Sequence, residues 1–241
     1  MGRAKEIIVK VIPSKIANAF VKVNHYSGKV VPNSTLHFGC FLDGRLHGVM
    51  SYGTSMQKSR IIGLVKPCLW NEMLELNRMA FDDYLPKYSE SRCIAISIRL
   101  LKKNAPHIKW LLSYADGCQC GDGTIYRASG FKLVGLKENK TMLRMPNGEI
   151  MADKTLNNSN YKKIGQSASY WKQKGAKPIE GNQLRYIYLI DKTCKITVPI
   201  LPFSEIDKQG AGMYKGEKIT LQERRALSDE VDSNSNSKQE A

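Results

Sequence analysis

Two neighbouring side chains, His25 and Tyr26, and a distant aspartate, Asp116 at the end of an apolar run, are the first residues here that could do chemistry. Imidazole, phenol and carboxylate groups move protons near neutral pH or serve as hard ligands to iron. Converging, they would form an acid–base set; as a lone loop histidine, His25 would simply face solvent. Glu75 and Arg78 share one strand-like segment, and their odd spacing places them on opposite faces of a regular strand. Each then pairs with another element, or Arg78 alone serves a site. Ser89, Ser91 and Arg92 open a helix pattern, where free backbone N–H groups beside a guanidinium suit an anion; a plain capping serine is the alternative. Tyr126-Arg127, after Gly121-Asp122-Gly123-Thr124, sets an aromatic beside a cation, which suits stacking on a base or packing of a short helix.

The charge points to a partner. The 241 residues carry 37 basic and 22 acidic side chains, a net +15. Residues 205–241 hold six basic and eight acidic residues, so the excess lies entirely in 1–204. A body this basic fits a polyanion, and nucleic acid is the commonest one. Residues 137–195 hold twelve basic and five acidic residues, with Tyr161, Tyr170, Trp171, Tyr186 and Tyr188 among them. Cations neutralise phosphates and aromatics stack on bases, although a solvated face over an aromatic mini-core has the same composition. No apolar run approaches the ~18 residues of a membrane span, and Met1–Lys10 does not read as a signal peptide, so the expected compartment is the cytoplasm. The six cysteines are sparse for a disulfide framework, and Cys118-x-Cys120, their tight pair, lacks the partners of a zinc site.

Elements must position these groups. Residues 6–12 are a strand, and Pro13 opens a helix with Ile16, Ala19, Phe20 and Val23 on one face. Residues 37–42 and 46–52 form a hairpin about Asp43-Gly44, and 72–79 a further strand. A helix from Ser89 to about Asn104 precedes an apolar strand at 108–114, a short helix at 124–129 and a strand at 131–135. A second hairpin turns on Asn147-Gly148; 161–174 forms a helix and 184–190 a strand. Apolar content collapses near Ser204, so 205–241 is expected to be a disordered tail. The order gives an α/β fold with a mixed sheet and crossover helices. It is similar to the acetyltransferase-type GNAT fold, in which two central strands splay to admit a ligand, here 72–79 and 108–114. The expected organisation is a catalytic core at 1–136, a basic extension at 137–204 and the tail.

Four stretches taken together resemble the phage Mom family: Glu75-Leu76-Asn77-Arg78, Pro86 to Ile94 with its Ser89-Glu90-Ser91-Arg92, Ser113-Tyr114-Ala115-Asp116, and Gly123 to Phe131. The resemblance covers about 5–150. It implies a GNAT-like enzyme that places a carbamoylmethyl group on adenine N6 of phage DNA, shielding it from host restriction. It also implies that His25, Tyr26, Arg78, Ser91, Asp116 and Tyr126 line the active site. Where GNAT enzymes bind coenzyme A through a glycine-rich loop, this chain has Pro86 to Arg92 and no glycine, which counts against ordinary coenzyme A binding; Ser89, Ser91 and Arg92 are the residues there that would hold acetyl-CoA or a related donor. An ordinary N-acetyltransferase and a non-catalytic nucleic-acid-binding protein are the other readings.

The proposed chemistry adds its own demands. Adenine N6 is a weak nucleophile because its lone pair is delocalised into the ring. An acetyl thioester would leave an acetyl group, so a carbon–nitrogen bond to a methylene needs a better electrophile or a redox metal. Iron held by His25 and Asp116 would meet that need. N6 is paired in double-stranded DNA, so the base must be flipped out or the strands opened.

Overall fold

A computed structural model describes residues 3–118, 121–209, 213–214 and 217–218. Its first half runs β1 (Ile8–Val11), α1 (Ser14–Asn24), β2 (Ser34–Leu42), β3 (Arg45–Gly53), α2 (Lys58–Ile61), β4 (Val65–Lys66), β5 (Met73–Phe81), α3 (Ser89–Asn104) and β6 (Trp110–Asp116). Then come α4 (Thr124–Ala128), β7 (Lys132–Glu138), β8 (Met142–Arg144), β9 (Ile150–Ala152), α5 (Asp153–Leu156), α6 (Ser159–Lys163), α7 (Ala168–Gln173), β10 (Lys177–Pro178), β11 (Asn182–Leu189), β12 (Lys195–Ile196) and α8 (Ser204–Gln209). Two compact units result: Met1–Ala115 with Gly123–Gly135 and Arg185–Pro202, and Asp116–Asp122 with Leu136–Leu184 and Phe203–Ala241.

The first unit is built on a seven-stranded sheet in the order β1-β2-β3-β5-β6-β11-β7. The β2–β3 hairpin turns on Asp43 and Gly44, both at positive φ, which matches the right-handed twist of its strands. On one face α1 lays Ala17 and Val21 on Val49 of β3 and Ala80 of β5. On the other, α3 buries Cys93, Ile94, Ser97, Ile98 and Leu101, a helical-period stripe. The Tyr52 and Ser97 hydroxyls bond across that interface at 2.7 Å. Beside α1, β12 pairs with β4, and together with α2 this segment buries Trp110, Leu112 and Ile187.

Two irregularities in β5 make the site. The first is where it parts from β6. Parallel pairing runs from Met73↔Trp110 to Leu76↔Ser113 and stops, while β5 continues to Phe81 against β3. This is the splay expected between these strands. The second is a register shift: Ser51 faces Arg78 and Tyr52 faces Leu76, so Asn77 is an extra, bulged residue. Glu75 faces Gly53, two residues from Ser51 on β3. Glu75 and Arg78 therefore lie on the same face of the sheet, that of α1, and not on opposite faces as regular alternation would have them. The bulge supplies the missing half-period.

The second unit has its own small core of Leu143, Met145, Met151, Leu156, Ala168 and Ala176, with Tyr161 and Trp171 packed on it. Its sheet is β10-β8-β9. Buried Asn139 ties its ends together, donating to the Met142 and Ile179 carbonyls and accepting from the Thr141 and Met142 amides. The helix expected over 161–174 is instead two, α6 and α7, because Gly165 between them takes a positive φ of 70°. Residues 185–202, expected within the basic extension, return to the first unit, where β11 lies between β6 and β7. Helix α8 falls where the tail was expected to begin, with Ile206 buried; residues 219–241 lie outside the described residues, as does Cys120.

Candidate active site

His25 closes α1, its backbone N–H capping the helix on the Val21 carbonyl. The Ser27 N–H donates to His25 Nδ1 at 3.1 Å, and Ser27 Oγ lies 2.9 Å from the same nitrogen. A ring nitrogen that accepts an N–H leaves the ring proton on Nε2. Burial, reinforced by the Arg78 guanidinium, holds the imidazole down at about 4. His25 is thus a neutral donor through Nε2, its ring 4.3 Å from the exposed Tyr26 ring and tilted to it by 31°.

Arg78 is fixed by backbone: Nε donates to the Lys29 carbonyl and Nη1 to the Asn77 carbonyl, both at 2.8 Å. Burial works against its charge, while Tyr26, Glu75 and Tyr126 favour it. The first unit therefore gathers His25, Tyr26, Arg78 and Tyr126, four of the six residues expected at the site. Tyr126 is buried and packs on Phe131 and Tyr186 at 5.5 and 5.4 Å, so the packed-helix alternative holds for its ring. Asp116 belongs to the second unit, where Oδ1 accepts from Gln183 Nε2 at 2.8 Å and from the Cys118 N–H at 3.1 Å.

Ser91 stands apart, at the start of α3. Neither serine there caps the helix: Ser89 Oγ donates to the Pro86 carbonyl at 2.5 Å and Ser91 Oγ to the Tyr88 carbonyl at 3.2 Å. The N–H groups of this 16-residue helix have no side-chain cap. Around them opens a cleft of about 630 Å³ lined by Lys5, Lys87, Tyr88, Ser91, Arg92 and Arg99. Four cations around an uncapped helix start favour a polyanion.

The aromatics of the basic stretch are mostly structural. Tyr186 is fully buried, and Tyr161 and Trp171 pack on the second unit's core. Its lysines are not: Lys137, Lys140, Lys154, Lys162, Lys163, Lys174 and Lys177 are all exposed. The charge of this stretch is a surface property, while Tyr161 and Trp171 serve the second unit's core and Tyr186 that of the first.

Iron finds a poor fit in these side chains. Ligation through His25 Nε2 would need that nitrogen bare, the reverse of the tautomer that Ser27 selects. Among the described residues no three His, Cys, Asp or Glu side chains gather as an iron centre would require.

Sequence reasoning missed Glu75, Tyr114 and Arg185 as members of this face. Only the bulge brings Glu75 there. Tyr114 carried a faint signal, as a polar-tipped ring inside an otherwise apolar run.

A mixed sheet whose parallel central strands part beside an ordered guanidinium and a donor histidine defines an α/β protein with an open, polar-lined site. The chain belongs to the Mom protein family, whose model matches residues 6–205. It is 31% identical over 195 residues, covering 80% of this chain and 79% of the relative, to "Methylcarbamoylase mom" of Escherichia phage Mu. Among solved structures it is similar to an IAA acetyltransferase from Bacillus cereus, with 10% identity and a TM-score of 0.44 over 76% of this chain and 99% of that one. It is also similar to the ribosomal-protein-S18-alanine N-acetyltransferase of Escherichia coli, with 9% identity and a TM-score of 0.44 over 77% and 94%. No helix among the described residues is long and apolar enough to cross a membrane.

Proposed function

We propose that this protein transfers a carbamoylmethyl group to N6 of adenine in phage DNA, acting in the host cytoplasm and protecting that DNA from restriction. Membership of the Mom family carries this reading, and the opening between β5 and β6 supports it. Adenine, flipped out of the duplex, enters on the face of Arg78 and His25. The His25 Nε2–H and the unbonded Arg78 nitrogen donate to acceptor atoms of the base or of the transferring amide, where charge develops. Asp116 is a further site residue by resemblance. The donor carries phosphate or a similar anion, as coenzyme A does, and the cationic cleft at Ser91 and Arg92 holds it; its carbamoylmethyl carbon bears a leaving group, which departs with the bonding electrons as N6 attacks and gives up a proton. No step is routed through iron. The exposed lysines of the second unit hold the DNA backbone.

The test is mass analysis of nucleosides from the DNA of cells expressing the protein. An adenine nucleoside heavier by one carbamoylmethyl group is expected. An N-acetylated adenine would identify an ordinary acetyltransferase, and unchanged DNA from cells making folded protein would leave only a binding role.

A further inference from the structure

Tyr114 is out of keeping with its strand. Its neighbours Ser113 and Ala115 are 0% and 3% exposed, yet Tyr114 is 41% exposed. Trp110 and Leu112, which share its face by alternation, are buried beneath Ile61, Leu64 and Cys194. That cover ends before Tyr114, at the level where β6 loses β5. A ring placed for packing would lie under the cover, and this one lies beyond it.

Glu75 faces Leu112 across the parallel pair, so Glu75 and Tyr114 share that face. The bulge at Asn77 puts Arg78 there too. The electrostatics agree with that placement: burial first, then the Glu75 carboxylate, push the Tyr114 phenol up, while the nearby Arg185 guanidinium acts the other way. The phenol stays protonated. Of the side chains shown to act on Arg78, Glu75 is the carboxylate, a hydrogen-bond acceptor.

We propose that Tyr114 and Glu75 form the seat for the extruded adenine, the Tyr114 ring stacking on the base and the Glu75 carboxylate accepting a hydrogen bond from its 6-amino group. The inference rests on the adenine-modifying role proposed above. Stacking on an exposed aromatic replaces the neighbours that a base loses on leaving the helix. A carboxylate acceptor selects a base with an exocyclic amino group at this position and rejects a carbonyl there, since two acceptors would repel.

The experiment compares Tyr114→Phe, Tyr114→Leu, Glu75→Gln and Glu75→Asp with the unaltered protein. It uses mass analysis of cellular DNA, a melting curve and a titration with an adenine-containing single-stranded oligonucleotide. Tyr114→Phe keeps the ring and is expected within about three-fold of the parent in modification. Tyr114→Leu keeps apolar bulk without a stacking plane, and is expected to lose about 10- to 100-fold in modification and to bind the oligonucleotide more weakly, at unchanged melting. Glu75→Gln is expected to lose at least 10-fold, with Glu75→Asp intermediate. Folded Tyr114→Leu and Glu75→Gln proteins modifying DNA like the parent would overturn the seat, as would a loss in Tyr114→Phe equal to that in Tyr114→Leu. If Glu75→Gln fails to fold, Glu75→Asp decides its half, and parent-like modification by that variant counts against the contact. Unmodified DNA from the parent itself would instead remove the functional reading on which the seat depends.

Discussion

At the scale of single residues, the site depends on how few atoms hold each functional group. Arg78 is gripped by two backbone carbonyls, Lys29 and Asn77, through two different nitrogens. A lysine has one nitrogen and no fork, so Arg78→Lys is expected to fold and to lose modification by about 100-fold, as mass analysis of cellular DNA would show. His25 has a pH signature. Its ordinary value of 6.5 falls to about 4 in the native protein. Between those values the unfolded chain binds a proton that native His25 refuses. Stability is therefore full above 6.5 and is lost progressively as pH falls towards about 4. His25→Gln, which cannot titrate, is expected to show a shallower fall in melting temperature across this window. His25→Ala and Asp116→Asn are each expected to remove modified adenine while leaving DNA affinity nearly unchanged.

Single elements decide which residues can meet. The bulge in β5 needs β3 and β2 to hold the sheet firmly opposite it. Gly53, the partner of Glu75, lies so near the Asn33 carbonyl that any Cβ there would collide with backbone. The Asn33 side chain in turn donates to the Thr54 carbonyl. Gly53→Ala is expected to cost about 1–3 kcal/mol, measured by denaturant unfolding, because the obstructing atom belongs to the main chain and has little room to yield. The same substitution is expected to lower modification, since it disturbs the strand that orients Glu75. Tyr52→Phe would test the opposite face: it loses only the bond to Ser97, costs about 1 kcal/mol, and is expected to spare modification.

For the whole molecule, the surplus of positive charge is the property that matters. If the lysines of the second unit hold the DNA backbone, log K against log[salt] falls by roughly 0.9 for each phosphate neutralised. Replacing Lys154, Lys162 and Lys163 by Ala is expected to reduce that slope by about two to three and weaken binding to all sequences alike. Their side chains are exposed, so melting should not change. A slope that stays constant would place the DNA on another surface.

Local pattern was enough for much of this. Helix α3 runs from Ser89 to Asn104 as its apolar period indicates, and the β2–β3 hairpin turns on Asp43-Gly44. Those features are encoded by neighbours in the chain, through period and turn chemistry. The parting of β5 from β6 was implied by the similarity to the GNAT fold, since the order of strands and crossover helices by itself gives only a mixed sheet. Tertiary structure alone decided the rest. Glu75 and Arg78 meet on one face because β3 sets a bulge in β5, a register relation that no spacing along one strand reveals. Tyr114 is open, and Tyr186 closed, because of where the segment carrying Ile61, Leu64 and Cys194 ends and where Tyr126 and Phe131 pack. Burial is a property of what arrives from elsewhere in the chain, so an aromatic within a basic stretch reads the same whether it awaits a base or fills a core.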